Sequence, residues 1–159
     1  MARICRTVRL SYEAKYWIDR MIVYRTEELQ KSIREDNLLE RIESRIFEIS
    51  NEKDLNGVSV SISLAVTVGS VIEEAIRLSR GLSLEDWQNI SKEAEQAKKH
   101  INGNNEVEAT PRFCIDEKIF REIEDLQIAL RGDSPRVARM SYIIKLAVYN
   151  LFKKYNING

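Results

Sequence analysis

The stretch RICRTVRLS, residues 3–11, alternates apolar and polar side chains with the period of a β-strand. The side chains of its dry row are Ile4, Val8 and Leu10. The side chains of its wet row are Arg3, Cys5, Thr7 and Arg9. Taken alone, this pattern is typical of an amphipathic edge strand that charged side chains keep soluble. Whether the wet row has a role beyond solubility depends on the rest of the chain.

Composition limits the class of protein. The chain has 159 residues, of which 43% are apolar, enough for one compact domain or for two or three very small ones. Its 25 basic and 25 acidic residues balance, which argues against a non-specific nucleic-acid binder held by charge alone. The charge is unevenly distributed, with a net +4 over residues 1–25, −9 over 26–130 and +5 over 131–159.

Several classes of function lack their sequence signals. No apolar run approaches the length of a membrane span and the N-terminus is not a signal peptide, so we expect a cytoplasmic protein without a membrane partner. The two cysteines have no metal-ligand spacing. There is no glycine-rich phosphate loop, nucleophile elbow or metal cluster. We therefore predict that the protein is not an enzyme and uses no cofactor, metal or small-molecule substrate.

Three stretches have strand character and continue into helical periodicity: residues 6–22, 58–76 and 110–128. Aligned on the last buried residue of each strand, they are spaced by 54 and 51 residues. The same offsets carry apolar helix positions onto apolar helix positions. The sets are Ala14, Ile18, Met21 and Ile22; then Val68, Ile72, Ala75 and Ile76; then Ile119, Ile123 and Leu126. This regularity predicts a repeated supersecondary unit.

A Gly-x-Ser sequence recurs at the same distance from the second and third strands. Gly81 and Gly132 are predicted to end a helix, because glycine adopts the left-handed conformation at the least cost. Ser83 and Ser134 are predicted to cap the helix that follows. Asp86 completes a capping box after Ser83. Each of these units is therefore strand, helix, tight turn and helix.

The boundaries of two helices follow from the same signals. In the first unit no glycine follows the first helix, so Thr26 is predicted to cap a second one. That second helix breaks or restarts near residues 34–37 and runs to about Ser50. The final helix of the chain is predicted to begin at Pro135, since proline is favoured at the first helical position.

The units resemble the ribbon-helix-helix family of transcriptional regulators (Arc/MetJ type). Residues 58–87 and 111–148 carry the resemblance best, and residues 6–21 match the strand and first helix only. The resemblance implies a mostly α protein with short β-strands. It implies repeated ribbon-helix-helix units that form a fused pseudo-dimer around a small antiparallel β-ribbon. The units are expected at residues 1–50, 57–99 and 109–159.

The resemblance also implies a function, that of a sequence-specific double-stranded DNA-binding transcriptional regulator that inserts a β-ribbon in the major groove. The residues expected to contact bases are Cys5, Thr7, Arg9, Thr110, Arg112 and Cys114. The residues expected to contact phosphates are Ser83, Ser134, Arg136 and Arg139. The expected partners are an inverted-repeat operator and a second copy of the chain in a homodimer.

Simpler explanations exist for most of these residues. Arg9 and Arg112 are also accounted for by a solvated strand face, and the serines at 59, 61 and 63 by ordinary strand alternation. Arg3 and Arg6 form either a flexible basic arm near the DNA backbone or a merely solubilising pair. These alternatives stay open at the level of sequence.

The cysteines have two alternatives of their own. Cys5 and Cys114 are expected to be free thiols in a reducing cytosol. If the first and third strands of the implied ribbon pair about Thr7 and Arg112, however, Cys5 lies opposite Cys114, within disulfide reach.

Two other classes of protein compete with a DNA-binding regulator. One is a ribbon-helix-helix-like protein-interaction or dimerisation module without DNA binding, which the acidic middle of the chain favours. The other is a plain helical bundle in which the strands are misassigned.

Overall fold

Helices and two short strands make up the computed structural model, which describes residues 2–53, 57, 59, 62–101 and 108–155. The elements in chain order are β1 Arg3–Thr7, α1 Tyr12–Glu35, α2 Leu38–Glu52, α3 Val68–Leu78, α4 Leu84–Lys98, β2 Arg112–Asp116, α5 Glu117–Ala129 and α6 Met140–Tyr155. The chain forms two compact units, one of Met1–Ile22 with Thr67–Gly159 and one of Val23–Val66. The prediction of a mostly helical protein with a small antiparallel sheet is confirmed.

Helix α6 has the most buried residues of any helix in the first unit. Its buried side chains are Ile143, Ile144, Leu146, Ala147, Val148, Tyr149 and Leu151. The sequence of α6 is apolar on nearly all sides, which is typical of a helix surrounded by other elements. The ring of Trp17, from α1, packs 4.8 Å from Tyr149 and 6.4 Å from Phe152, measured between ring centroids. The first unit therefore has a core in which α1 and α6 meet through aromatic side chains.

The apolar positions that define the sequence repeat mostly lie in this core. The predicted core residues that are buried are Ala14, Ile18, Met21, Ile72, Ala75, Ile76, Ile119 and Ile123. Ile22, Val68 and Leu126 are only half-buried. The helical period of the sequence therefore identified the inward faces of α1, α3 and α5.

The turn between α3 and α4 has the predicted geometry. Gly81 adopts φ 81°, a left-handed conformation. Ser83 caps α4: its Oγ accepts a hydrogen bond from the Asp86 N–H at 3.1 Å, and the Asp86 carboxylate accepts one from the Ser83 N–H at 2.9 Å. This reciprocal pair is a capping box, as predicted.

Strands β1 and β2 form an antiparallel two-stranded ribbon. The register runs from Arg3 opposite Asp116 to Thr7 opposite Arg112. The expected pairing about Thr7 and Arg112 is therefore confirmed. An isolated two-stranded ribbon is marginal in water, and this one is stabilised because Phe113 and Ile115 of β2 are buried against the helices.

The predicted middle strand does not form in the described residues of this segment. Residues 59 and 62–67 are in no strand, and residues 58, 60 and 61 lie outside the described residues. The start of α3 covers the free edge of β2 instead. Gly69 lies so close to the Cys114 backbone that a Cβ would collide with the Cys114 carbonyl oxygen. A third strand therefore cannot add to β2 at this position.

The last helix begins later than predicted. Helix α6 starts at Met140 rather than at Pro135, so Ser134 is not its N-cap. The chain before it forms a loop that is held against α5, because the Ala138 N–H donates to the Gln127 carbonyl oxygen at 3.0 Å. That tertiary contact replaces the helical hydrogen bonds that the sequence predicted for this segment.

The second unit, Val23–Val66, contains the end of α1 and all of α2. Thr26 lies inside α1, so the predicted cap at this residue is wrong, since no glycine or proline interrupts the helix there. The predicted break near residues 34–37 is confirmed at Asn37, which adopts φ 51° and precedes α2. Helix α2 is amphipathic but has no buried residue. Phe47 is 68% exposed and Ile49 is 53% exposed.

Candidate nucleic-acid interface

The outward face of the ribbon carries four exposed side chains that we call the ribbon row: Thr7, Arg9, Thr110 and Arg112. Thr7 lies directly opposite Arg112. The same register continues through the isolated bridge that follows β1, so that Arg9 lies opposite Thr110. Side chains two residues apart on a strand share a face. The structure therefore brings these four predicted base-contacting residues together.

The ribbon row has an internal two-fold symmetry. Residues 7–9 and residues 110–112 both have the sequence Thr-x-Arg, and they pair antiparallel. The central residues of the two motifs face each other, and the Val8 N–H donates to the Pro111 carbonyl oxygen at 3.4 Å. A two-fold axis through this pair superposes threonine on threonine and arginine on arginine. Two half-copies of the same chemistry therefore lie in inverted orientation within one chain.

The two arginines of the ribbon row have different neighbours. Arg9 Nε donates to a carboxylate oxygen of Glu108 at 2.7 Å, although its side chain stays 75% exposed. Arg112 is exposed and has no ion pair within the part of the chain that the structure describes. An exposed ion pair is worth only about 0–1 kcal/mol. Glu108 therefore competes with a ligand of Arg9, but weakly.

The two arginines within β1, Arg3 and Arg6, have structural partners. Arg3 Nη2 donates to Glu73 Oε1 and to the Cys114 carbonyl oxygen, both at 2.7 Å. The guanidinium of Arg6 lies over the ring of Phe120, 4.9 Å from its centroid. Neither residue forms the flexible basic arm that the sequence left open. Sequence reasoning missed Glu73, because its burial depends on an arginine 70 residues away in the chain.

Cys5 and Cys114 form a disulfide across the ribbon. The expectation of free thiols is therefore wrong, and the alternative that the strand register suggested is confirmed. Leu10 and Ala109 exchange two backbone hydrogen bonds, so the alternation of an antiparallel ladder makes Cys5 and Cys114 a non-hydrogen-bonded pair. Side chains approach each other most closely in such pairs, and the two Cα atoms here are 4.0 Å apart. Because neither sulfur of the disulfide carries a proton, Cys5 and Cys114 cannot donate a hydrogen bond to a base.

The N-terminus of α4 has the cap that was predicted but an unfavourable charge for a phosphate. Its first turn contains Glu85 and Asp86. The backbone hydrogen bond from Ser83 lowers the pKa of the Asp86 carboxyl, so this group keeps its negative charge. Two carboxylates beside the free amides oppose an anion. Ser83 is thus a poorer phosphate ligand than its position at a helix start indicates.

The loop between α5 and α6 carries the other predicted phosphate ligands. Ser134 Oγ accepts a hydrogen bond from the Arg136 N–H at 3.3 Å, and Gln127 Nε2 donates to the Ala138 carbonyl oxygen at 2.8 Å. These bonds hold the loop although it is not helical. Arg136 and Arg139 are exposed, and neither has an ion pair among the residues that the structure describes. The loop therefore presents two arginine cations suited to phosphate contacts.

The described residues contain neither a metal site nor a membrane span. Among them, no three or more His, Cys, Asp or Glu side chains come together as a metal site would require. Nor does any of the described helices combine the length and the apolar character that crossing a bilayer demands.

Protein-family models, curated proteins and solved structures were each compared with this chain, and none of the three comparisons gives a match.

Proposed function

We propose that this protein is a sequence-specific double-stranded DNA-binding transcriptional regulator whose ribbon row enters the major groove. The observation that supports the proposal best is the pair of two-fold-related Thr-x-Arg sequences on one exposed face. A two-stranded antiparallel ribbon fits a major groove about 12 Å wide. The regulator acts by occupying its site on DNA and performs no chemistry.

The side chains of the ribbon row match the edges of bases in the major groove. An arginine binds guanine O6 and N7 in a bidentate manner, and a threonine donates to a base or packs against a thymine methyl group. Each well-placed bidentate contact contributes about 1–3 kcal/mol of discrimination. Because Arg9 and Arg112 are related by the two-fold axis, each reads one half of the site. The expected operator is a short inverted repeat with a guanine in each half.

Selection of bound duplexes from a random pool tests this proposal. The purified protein is expected to enrich an inverted repeat. Arg112→Ala and Arg9→Ala each lose the guanine preference in one half-site. The matched control is Arg41→Ala, which removes an exposed arginine from α2 and is expected to leave the preference intact. If both ribbon variants discriminate as well as the wild type, the ribbon row does not read the sequence.

Phosphate contacts are separable from base contacts by their salt dependence. Arg136→Ala is expected to weaken binding to all duplexes about equally, since a phosphate contact carries no sequence information. It also reduces the slope of log affinity against log salt by about 1, because one fewer counterion is released. Fluorescence anisotropy at several salt concentrations measures both quantities. A selective loss on the enriched duplex would assign Arg136 to base readout instead.

The Arg9–Glu108 ion pair gives a variant that should gain affinity. Glu108→Gln removes the competing carboxylate and is expected to raise affinity for the enriched duplex by about threefold, within the range of an exposed ion pair. The control is Glu124→Gln, which removes an exposed carboxylate from α5. Equal gains from both variants would indicate a general effect of charge rather than the release of Arg9.

A second candidate function is self-association through α2, without DNA binding. Helix α2 has apolar residues at helical spacing, yet none of its residues is buried, and Phe47 is 68% exposed. A helix of this length is marginal without tertiary packing. A second copy of the same helix supplies that packing in a symmetric dimer. Sedimentation equilibrium is expected to show a dimer for the wild type and a monomer for Phe47→Ser, and selection then enriches no duplex.

A further inference from the structure

We infer that the Cys5–Cys114 disulfide is a reversible switch that sets the affinity of the ribbon row for DNA. This inference rests on the proposed DNA-binding function and names the regulation of that same face. The disulfide form is the form that binds the operator tightly. The reduced form binds the same operator about tenfold more weakly, because its ribbon is less preorganised.

The disulfide lies where it can act on the ribbon row. Cys5 is two residues from Thr7, and Cys114 is two residues from Arg112. Because side chains two apart on a strand share a face, the disulfide is the next rung of the row itself. The bond links one cysteine of each strand, and the two cysteines are 109 positions apart in the chain. It therefore fixes the register on which the alignment of the two Thr-x-Arg sequences depends.

The disulfide holds one end of the ribbon and leaves the other without a covalent link. Beyond Arg9, the strands are joined by the two backbone hydrogen bonds of the Leu10–Ala109 pair. On the disulfide side, the strands of the reduced protein are still held by the backbone ladder and by the contacts of Arg3 with Glu73 and the Cys114 carbonyl oxygen. Short ladders at the surface open locally at small cost. Reduction is thus expected to loosen the spacing between the arginines while the helical core stays folded.

The bond is accessible to a reductant in the folded protein. Both cysteines are half-buried rather than enclosed in the core. They are the only two cysteines of the chain, so a thiol reagent has no other target. An accessible disulfide exchanges with thiols faster than a buried one. The switch therefore needs no unfolding step.

The chemistry is thiol–disulfide exchange with a dithiol. One thiolate of the dithiol attacks a cysteine sulfur, the S–S bond breaks, and the other cysteine leaves as a thiolate that takes up a proton. The second thiol of the reductant then attacks the mixed disulfide and releases the first cysteine as a thiol. Cys5 and Cys114 gain two electrons and two protons in total, and the dithiol is oxidised to a cyclic disulfide. The reverse reaction with an oxidised dithiol restores the bond.

Anisotropy with the duplex enriched by selection tests the switch, with dithiothreitol as the dithiol. The disulfide form is expected to bind about tenfold more tightly than the same sample after reduction. Re-oxidation restores the affinity. The Cys5→Ser/Cys114→Ser double variant binds like the reduced wild type and does not respond to dithiothreitol. Mass spectrometry after alkylation counts two blocked thiols in the reduced sample and none in the oxidised one.

The outcomes separate this inference from the proposed function. If oxidised and reduced proteins bind the enriched duplex equally, the switch is overturned and DNA binding stands. If the disulfide form enriches no duplex, both fail together. Circular dichroism of the reduced protein at the assay temperature excludes a trivial cause. Loss of its helical signal overturns the inference, since binding is then lost through unfolding, whereas an unchanged signal with weaker binding supports it.

Discussion

The two compact units each contain an amphipathic helix, α3 in the first and α2 in the second, and these two helices differ in what they pack against. In the first unit, Ile72 of α3 and Ile144 of α6 are fully buried, because helices and the ribbon converge on them. In the second unit, α2 packs so loosely that Phe47 and Ile49 remain more than half exposed. A helical period is thus sufficient to form a helix, but several elements must converge before its apolar face leaves water.

The largest expected effect is on the free energy of unfolding, when one isoleucine in each unit is shortened to alanine. Ile144→Ala is expected to lower the free energy of unfolding by about 4 kcal/mol, since Ile144 is 0% exposed and the cavity cannot collapse fully. Ile49→Ala, at a residue that is 53% exposed, is expected to cost less than about 1 kcal/mol. Urea unfolding followed by circular dichroism measures both. Equal costs would mean that the second unit is as well packed as the first.

The next effect concerns the contact that excludes a third strand. Gly69→Ala places a Cβ against the Cys114 carbonyl oxygen and is expected to cost about 3 kcal/mol. The Cβ of Gly81→Ala meets no atom within 4 Å, so this variant is expected to cost only the strain of a left-handed alanine, about 1 kcal/mol. Thermal unfolding of the two variants compares collision with backbone strain. A smaller loss for Gly69→Ala than for Gly81→Ala would contradict the close packing of α3 on β2.

A smaller effect compares the two Gly-x-Ser turns. Ser83→Ala is expected to cost about 1 kcal/mol, because Ser83 caps α4 through its hydroxyl. Ser134→Ala is expected to change the unfolding free energy by less than about 0.5 kcal/mol, since α6 begins only at Met140. Urea midpoints at constant slope give the comparison. A comparable loss at Ser134 would show that this serine does stabilise the start of α6.

The smallest effect is the pH dependence of the α4 cap. The hydrogen bond from the Ser83 N–H lowers the pKa of the Asp86 carboxyl in the folded protein. A lowered pKa stabilises the fold at neutral pH, and this contribution is lost as the pH falls below about 4 and through the folded pKa. Asp86→Asn is therefore expected to unfold at a lower temperature than the wild type at pH 7, and this difference is expected to narrow as the pH is lowered towards 2. A constant difference at both pH values would show that the charge is irrelevant.

The two Gly-x-Ser turns also show how far local signals reach. Gly81 and Gly132 both adopt the left-handed conformation that was predicted, at φ 81° and 61°. After Ser83, the third helical residue is Asp86, whose carboxylate completes the capping box. After Ser134, the corresponding residue is Val137, whose side chain has no atom that can accept a hydrogen bond from the Ser134 N–H. The same Gly-x-Ser pattern is therefore followed at once by helix α4 after Ser83 and by a loop after Ser134.

The candidate site was predictable in its composition and in its register. Alternation placed Thr7 and Arg9 on one face, and pairing about Thr7 and Arg112 is what the structure shows. The pairing of Arg9 with Glu108 was not predicted, because the connector before β2 had no periodicity to interpret. Arg3 was unassignable for a similar reason, since its partner Glu73 belongs to a helix that is distant in the chain.

Local chemistry is what the sequence by itself determined. The period of the apolar residues, the capping box at Ser83 and the left-handed glycines act over a few residues, so they are legible without a fold. Tertiary structure decided which edge of β2 is covered, where α6 begins and that Cys5 bonds to Cys114. Each of these depends on segments far apart in the chain meeting in space. The free energy of such contacts comes from burial and close approach, which one-dimensional spacing does not encode.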